Sequence, residues 1–198
     1  MAYDRKDHYY RRAKAEGKAS RAAYKISQLH RQFHLFRRGD KVVDLGCAPG
    51  GWLQEVSTFV GPQGKVVGVD LLPLKIVLPK NVTFIPGDLR TPGVTTAIHE
   101  RLGGEADVVL SDMAPNTTGV AFTDAYRSFE LAKFAFEACQ RLLKDDGKFV
   151  VKIFTGDEVK VFRQTLAECF TTVQIVTPPA TRKGSFEIYI VATGYKQR

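Results

Sequence analysis

The stretch KVVDLGCAPGGW, Lys41 to Trp52, decides the architecture. Val42 and Val43 form a short apolar run that ends in an acid, Asp44. A turn follows with Gly46, Pro49, Gly50 and Gly51, and then Trp52, the single tryptophan of the chain. An apolar run closed by glycines reads as a strand, and the residues from about Gly51 to Phe59 read as a helix. Glycines between a strand and a helix let the backbone come close to a ligand.

Outward from this turn the pattern repeats. KVVGVD (65–70), NVTFIPGD (81–88), ADVVLSD (106–112) and KFVVKIF (148–154) read as further strands. Helical periodicity lies between them at about 91–102 and 126–143, and again at 157–170 after the last of them. TVQIVTP (172–178) and SFEIYIVATGY (185–195) close the chain as two strands with only a loop between them, so they are expected to pair antiparallel. Upstream, Ala22, Ile26, Leu29, Phe33 and Phe36 share a helical stripe, with Ser20 as its expected N-cap. Strands alternating with helices predict an α/β domain, a mostly parallel sheet with helices on both faces. The expected organisation is a basic N-terminal arm over 1–19 and a single domain over 20–198.

An open sheet of this kind binds ligands outside the carboxyl ends of its strands. The residues expected there are Asp44 to Gly51, Asp70, Asp88, Asp112 and Lys152. The loop lacks the GxGxxG spacing of dinucleotide sites and the Lys-Ser/Thr of nucleoside triphosphatases. Asp70 can take two ribose hydroxyls, and Asp88, followed by Leu89, can address an adenine amino group. With Asp112 they make three acids on one rim, which suits a ligand with cationic parts and no phosphate. S-adenosylmethionine, with its sulfonium and amino group, meets that description. The expected contacts are Gly46, Pro49, Gly50, Gly51, Trp52, Asp70, Asp88, Leu89 and Asp112.

Three charged residues interrupt apolar patterns. Lys25 lies on the stripe between Ala22 and Leu29, Lys152 inside FVVKIF, and Glu187 inside SFEIYIVA. Lys and Glu are rarely buried without partners, because an unpaired internal charge is costly. With Asp112 they form two amines and two carboxylates, a balanced set able to share one site.

The formal net charge is +8, and it is unevenly spread. Residues 1–41 hold 12 Lys/Arg and 4 Asp/Glu, whereas residues 42–198 hold 17 of each. The basic segment reads either as a solvated tail or as an arm for a polyanion. In the second reading Tyr3, Tyr9 and Tyr10 interleave with Arg5, Lys6, Arg11, Arg12 and Lys14, so cations meet phosphates while aromatics stack on bases. Arg21 continues that basic surface. The segment lacks the apolar period expected of a core element. Cys47, Cys139 and Cys169 form no CxxC pair, and His30 and His34 have no carboxylate beside them, so neither a disulfide framework nor a metal site is expected. No apolar run reaches membrane length, and no secretory signal is visible. A cytoplasmic monomer is expected.

DLGCAPGGW, VGVDLLP, GDLR, SDMAPN and VVKIF, in this order, resemble the FtsJ-like ribose 2′-O-methyltransferases, most closely the ribosomal RNA large subunit methyltransferase E family. The resemblance runs from SRAAYKI to GSFEIYIV. It implies a Rossmann-like methyltransferase fold, a seven-stranded sheet with an antiparallel last strand, and S-adenosylmethionine as cofactor. It implies methylation of a ribose 2′-hydroxyl in RNA, a uridine of 23S ribosomal RNA in the large subunit or its precursor. Lys25, Asp112, Lys152 and Glu187 match the family's K-D-K-E tetrad, with Lys152 as the proton acceptor. Cys47 stands where relatives carry other small residues and reads as packing. Two other readings stay open: a tRNA or cap 2′-O-methyltransferase with the same tetrad, and a non-catalytic RNA-binding ribosome-assembly factor.

Overall fold

The computed structural model describes residues 8–197; Arg5 and Lys6 lie outside the described residues, as does Tyr3. The described chain runs α1 (His8–Ala15), α2 (Ala22–Phe33), β1 (Lys41–Leu45), α3 (Gly51–Val60), β2 (Lys65–Asp70), β3 (Val82–Pro86), α4 (Val94–Leu102), β4 (Ala106–Ser111), α5 (Ala121–Leu142), β5 (Leu143–Phe154), α6 (Glu158–Cys169), β6 (Phe170–Val176) and β7 (Glu187–Tyr195). The seven strands form one sheet in the order β3-β2-β1-β4-β5-β7-β6. β1 to β5 pair in parallel, while β7 lies antiparallel between β5 and β6. This is the expected seven-stranded α/β architecture with an antiparallel last strand.

Two apolar clusters cover the two faces. Val43, Val109, Val151 and Ile153 face α4, α5 and α6, with Phe136, Phe149 and Phe162 between them. Val42, Val108, Val150, Tyr189 and Val191 face α2 and α3, with Ile26, Leu29, Trp52 and Leu53. Side chains alternate along a strand, so Lys152 shares the α2 side with Val150. It stands directly opposite Tyr189, and Phe154 stands opposite Glu187. The sheet therefore delivers Lys152, Tyr189 and Glu187 to the face that α2 covers with Lys25.

The boundaries differ from expectation in four places. α2 ends at Phe33 because His34 takes the left-handed conformation (φ 49), and Phe36 reaches the core from a loop, stacking on Phe59. Arg21, not Ser20, is the N-cap of α2, and the Ser20 hydroxyl makes no capping bond. α5 begins at Ala121, five residues early, because Asp124 in its first turn reaches back to the Thr118 and Gly119 amides at 2.7 and 3.0 Å. β5 already starts at Leu143, before the strand expected from Lys148, and Asp145-Asp146-Gly147 form an irregularity within it, with Asp146 at φ 60 and a register shift against β4.

The second half of the basic segment is a helix. α1 buries Ala13 against Tyr24 and Ala180, with Tyr9 alongside. A small residue on a seat made by a distant loop needs no apolar period, which is why the sequence pattern did not reveal this contact.

Candidate active site

The strand order reverses between β1 and β4, and a cavity of ≈ 940 Å³ opens at the carboxyl ends there. Leu45 and Gly46 line one side, Asp112 and Met113 the other, and Asp70, Asp88 and Leu89 complete the rim. Gly46 sits at φ 78, and a Cβ on it would lie 2.5 Å from Met113 Cγ, so only glycine lets the two loops meet.

The remainder of the glycine turn does other work. Gly50 has φ 109 and faces Ile76 at a distance that leaves no room for a Cβ, and Gly51 abuts Ser20. Pro49 accepts the Lys75 amide through its carbonyl. The Trp52 indole N–H donates to the Ala22 carbonyl at 2.8 Å, and its ring lies 5.9 Å from Tyr189. None of these four residues lines the cavity. Gly51 and Trp52 pack α3 against the start of α2 and so fix the helix that carries Lys25, whereas Pro49 and Gly50 meet Lys75 and Ile76.

The acids of the cavity are not equivalent. Asp70 accepts the Ala48 and Leu72 amides, both at 2.8 Å, which shapes the rim. Asp88 is chelated by Arg90, whose guanidinium approaches to 2.6 Å and holds the carboxyl below its ordinary range. Asp44, beneath the turn, is fully buried, and neither carboxylate oxygen has a hydrogen-bond partner. Burial first, then Asp112 and Asp70, push its pKa well above the ordinary value. Burial likewise pushes the Cys47 thiol up, which keeps it a packing group and not a nucleophile.

Lys25, Asp112, Lys152 and Glu187 come together as two ion pairs. The Lys152 ammonium lies 3.0 Å from Asp112 Oδ1 and donates to the Asp112 main-chain oxygen at 2.5 Å. Lys25 pairs with Glu187. Both lysines are nearly buried, at 7% and 8% exposure. Tyr189 stands between the pairs. Its hydroxyl donates to Asp112 Oδ1 at 2.8 Å, and the Lys25 ammonium sits 5.7 Å from its ring centre. Burial, then Asp112 and Glu187, raise its pKa, so it stays a phenol and a donor. Sequence reasoning did not single out Tyr189; its place opposite Lys152 in an antiparallel pair is what brings it to the site.

A second cavity of ≈ 1130 Å³ reaches the tetrad from the other side, lined by Arg21, Lys25, Glu187 and the loop from Thr181 to Phe186. The tetrad thus lies between the two: Asp112 borders the first, Lys25 and Glu187 the second. Of the residues expected to hold a polyanion, Arg21 lines the second cavity, where it also donates to the Ala180 carbonyl. Arg12 is exposed but paired with Glu16 at 2.6 Å, and Arg11 and Lys14 are exposed on α1. His30 Nδ1 accepts the Phe36 amide, and its ring lies tilted against Phe36 and Phe59. Among the described residues no group of three or more His, Cys, Asp or Glu is placed to hold a metal, and no helix is long and apolar enough to cross a membrane.

Comparison with known proteins agrees with this arrangement. Residues 19–195 match the FtsJ-like methyltransferase family. A ribosomal RNA large subunit methyltransferase E of Methanothrix thermoacetophila is 46% identical over 96% of this chain and 73% of its own length. The protein of that name from Bdellovibrio bacteriovorus is 41% identical over 99% of this chain and 100% of its own. The crystal structure of a ribosomal RNA methyltransferase from Plasmodium falciparum superposes with a TM-score of 0.78 at 25% identity, covering 91% of this chain and 100% of that one. A carboxylate-rimmed cavity at the switch point, a buried pair of lysines beside it and a match over nearly the whole length make one case: this chain belongs to the FtsJ-like methyltransferase family.

Proposed function

We propose that this enzyme transfers a methyl group from S-adenosylmethionine to a ribose 2′-hydroxyl of RNA, a uridine of large-subunit ribosomal RNA. The observation that carries the reading is the position of the tetrad: two buried lysines, each held by a carboxylate, between a carboxylate-rimmed cavity and a cation-lined one. The names of the relatives support ribosomal RNA as the substrate.

The first cavity fits the cofactor by the chemistry of its walls. Asp70, Asp88 and Asp112 line it, apolar Leu45, Val69, Leu71 and Met113 offer surface for an adenine, and the unpartnered carboxyl of Asp44 lies just beneath. When bound, S-adenosylmethionine supplies an electrophilic methyl group on a sulfonium. Asp70 and Asp88 hold its hydroxyls and base, and the surrounding carboxyls favour its positive parts.

A ribose 2′-hydroxyl is a weak nucleophile and must lose its proton as it attacks. Lys152 Nζ takes that proton as the neutral amine, after the ammonium of the resting ion pair has given a proton to solvent. The ammonium that forms is met by two acceptors already in place, the Asp112 carboxylate and the Asp112 main-chain oxygen. Tyr189, by donating to the same carboxylate, fixes its orientation. Lys25 and Glu187 hold the hydroxyl from the side of the second cavity. The 2′-oxygen gains the methyl group as the methyl carbon–sulfur bond breaks, with S-adenosylhomocysteine as the leaving thioether, and loses its proton to Lys152. Positioning is a large part of the rate, since the attack must be in line.

The test is transfer of labelled methyl from S-adenosylmethionine to isolated large ribosomal subunits, naked large-subunit RNA and tRNA. Label in a uridine of large-subunit RNA is expected. Label in tRNA alone would move the substrate, and no label in any RNA would overturn the reading.

A further inference from the structure

The second cavity carries features that proton transfer does not use. Phe186 lines it and is 63% exposed, a large apolar side chain facing solvent. Its backbone is nevertheless fixed: the Phe186 carbonyl accepts the Thr155 amide at 2.7 Å and the Thr155 hydroxyl at 3.0 Å. Lys183 is exposed on the same loop, and Tyr9 of α1 lines the cavity as well. The loop is anchored at Ala180, whose amide donates to the Gln28 side chain at 2.8 Å and whose carbonyl accepts from Arg21. An aromatic ring held in solvent beside cations is the composition of a platform on which a nucleic-acid base stacks.

The depth of the tetrad restricts what can reach it. Lys25 and Glu187 line the cavity, and Lys25 is nearly buried. A double-stranded RNA, whose sugars lie along a wide shallow groove, does not descend into such a cavity. A single nucleotide that has left its stack does.

We infer that the second cavity receives one unpaired nucleotide, its base stacked on Phe186, a flanking phosphate at Lys183 and its ribose at Lys25 and Glu187. This rests on the RNA reading above, and it adds that the target nucleotide must be single-stranded or extruded.

The probe is a short fluorescein-labelled oligouridylate, free or annealed to oligoadenylate, followed by anisotropy at low salt. Wild-type protein is expected to hold the single strand more tightly than the duplex. Phe186→Ala is expected to lose about 5- to 100-fold of the single-strand affinity, and Phe186→Trp to keep it. Lys183→Ala is expected to weaken binding and to flatten its salt dependence. Cofactor affinity and melting temperature, measured on the same variants, should stay at the wild-type values. Equal affinity for single strand and duplex, no binding of the single strand, or a Phe186→Ala protein that binds it as the wild type does would overturn the inference. A wild-type protein that prefers the single strand through Phe186 yet transfers no methyl group would leave this pocket standing and overturn the proposed reaction instead.

Discussion

The two cavities are made of different material. The first is cut into the sheet itself: strand ends and their turns supply Gly46, Asp70, Asp88 and Asp112, and the charge that faces inward is mostly carboxylate. The second is assembled at the periphery from α1, the start of α2 and the loop from Thr181 to Phe186, and its lining is rich in cations and aromatic rings. The sign of each lining matches the ligand proposed for it, a small molecule with cationic parts in one and a polyanion in the other. The tetrad stands where these two fields meet, and it can do so because each lysine brings its own carboxylate. The contrast also bears on the basic segment: of its described residues, Arg21 and Lys25 line the second cavity and none lines the first.

The contrast breaks most sharply at Lys152. Lys152→Arg keeps the charge but cannot accept a proton. Methyl transfer should fall by about 10²- to 10⁴-fold with cofactor binding intact, the range expected for loss of a general base. Near-normal turnover would give the proton to water or to another group. Asp70→Ala tests the first cavity alone. It removes the acceptor for the Ala48 and Leu72 amides and for the cofactor hydroxyls, so affinity should fall by about 1–3 kcal/mol while RNA binding holds. Calorimetry showing unchanged affinity for S-adenosylmethionine would remove Asp70 from the site.

Two truncations sharpen the second cavity. Deleting residues 1–7 removes Arg5 and Lys6 and leaves α1; deleting residues 1–14 also removes Ala13 from its seat against Tyr24 and Ala180. Both should lower RNA affinity and reduce the log–log salt slope by up to ~0.7–0.9 per lost phosphate contact. Only the longer deletion should lower the melting temperature, by about 2–4 °C for each kcal/mol of lost packing. An unchanged salt slope in both would make the segment a solvated tail.

The smallest effect concerns Asp44. Its pKa in the fold is raised, so the stability tied to its protonated form is complete below the unfolded carboxyl value of about 3.9 and is lost as pH rises through the folded value. Asp44→Asn mimics the neutral form. It should melt a few degrees higher than the wild type at neutral pH, and the gap should close toward pH ~4. A gap that stays constant with pH, measured without cofactor, would mean that Asp44 does not titrate in that window.

Much of this was legible in the sequence because it rests on local rules. Periodicity and glycine placement specified the strand–helix alternation, and charged residues inside FVVKIF and SFEIYIVA pointed to the tetrad. What the sequence did not show is mainly contact between distant segments. Trp52 and Gly51 sit in the turn, but their neighbours are Ala22 and Ser20 of another segment. The ion pair of Asp88 with Arg90, by contrast, is local, two residues apart, and was not read from the sequence. Ala13 finds its seat 167 positions away at Ala180. Tyr189 is a core residue by pattern and a hydrogen-bond donor to Asp112 by register.

The central claim is that the methyl group passes across the tetrad from the first cavity to a ribose in the second. Its most direct test is the position of the methyl group in the product. RNA methylated in vitro is digested to nucleosides and separated by mass spectrometry, and a parallel sample is treated with alkali, which cleaves only where a 2′-hydroxyl is free. The account predicts a 2′-O-methylated uridine and one alkali-resistant linkage, both lost in Lys152→Arg. A methyl group on a base, with the linkage still cleaved by alkali, would contradict it.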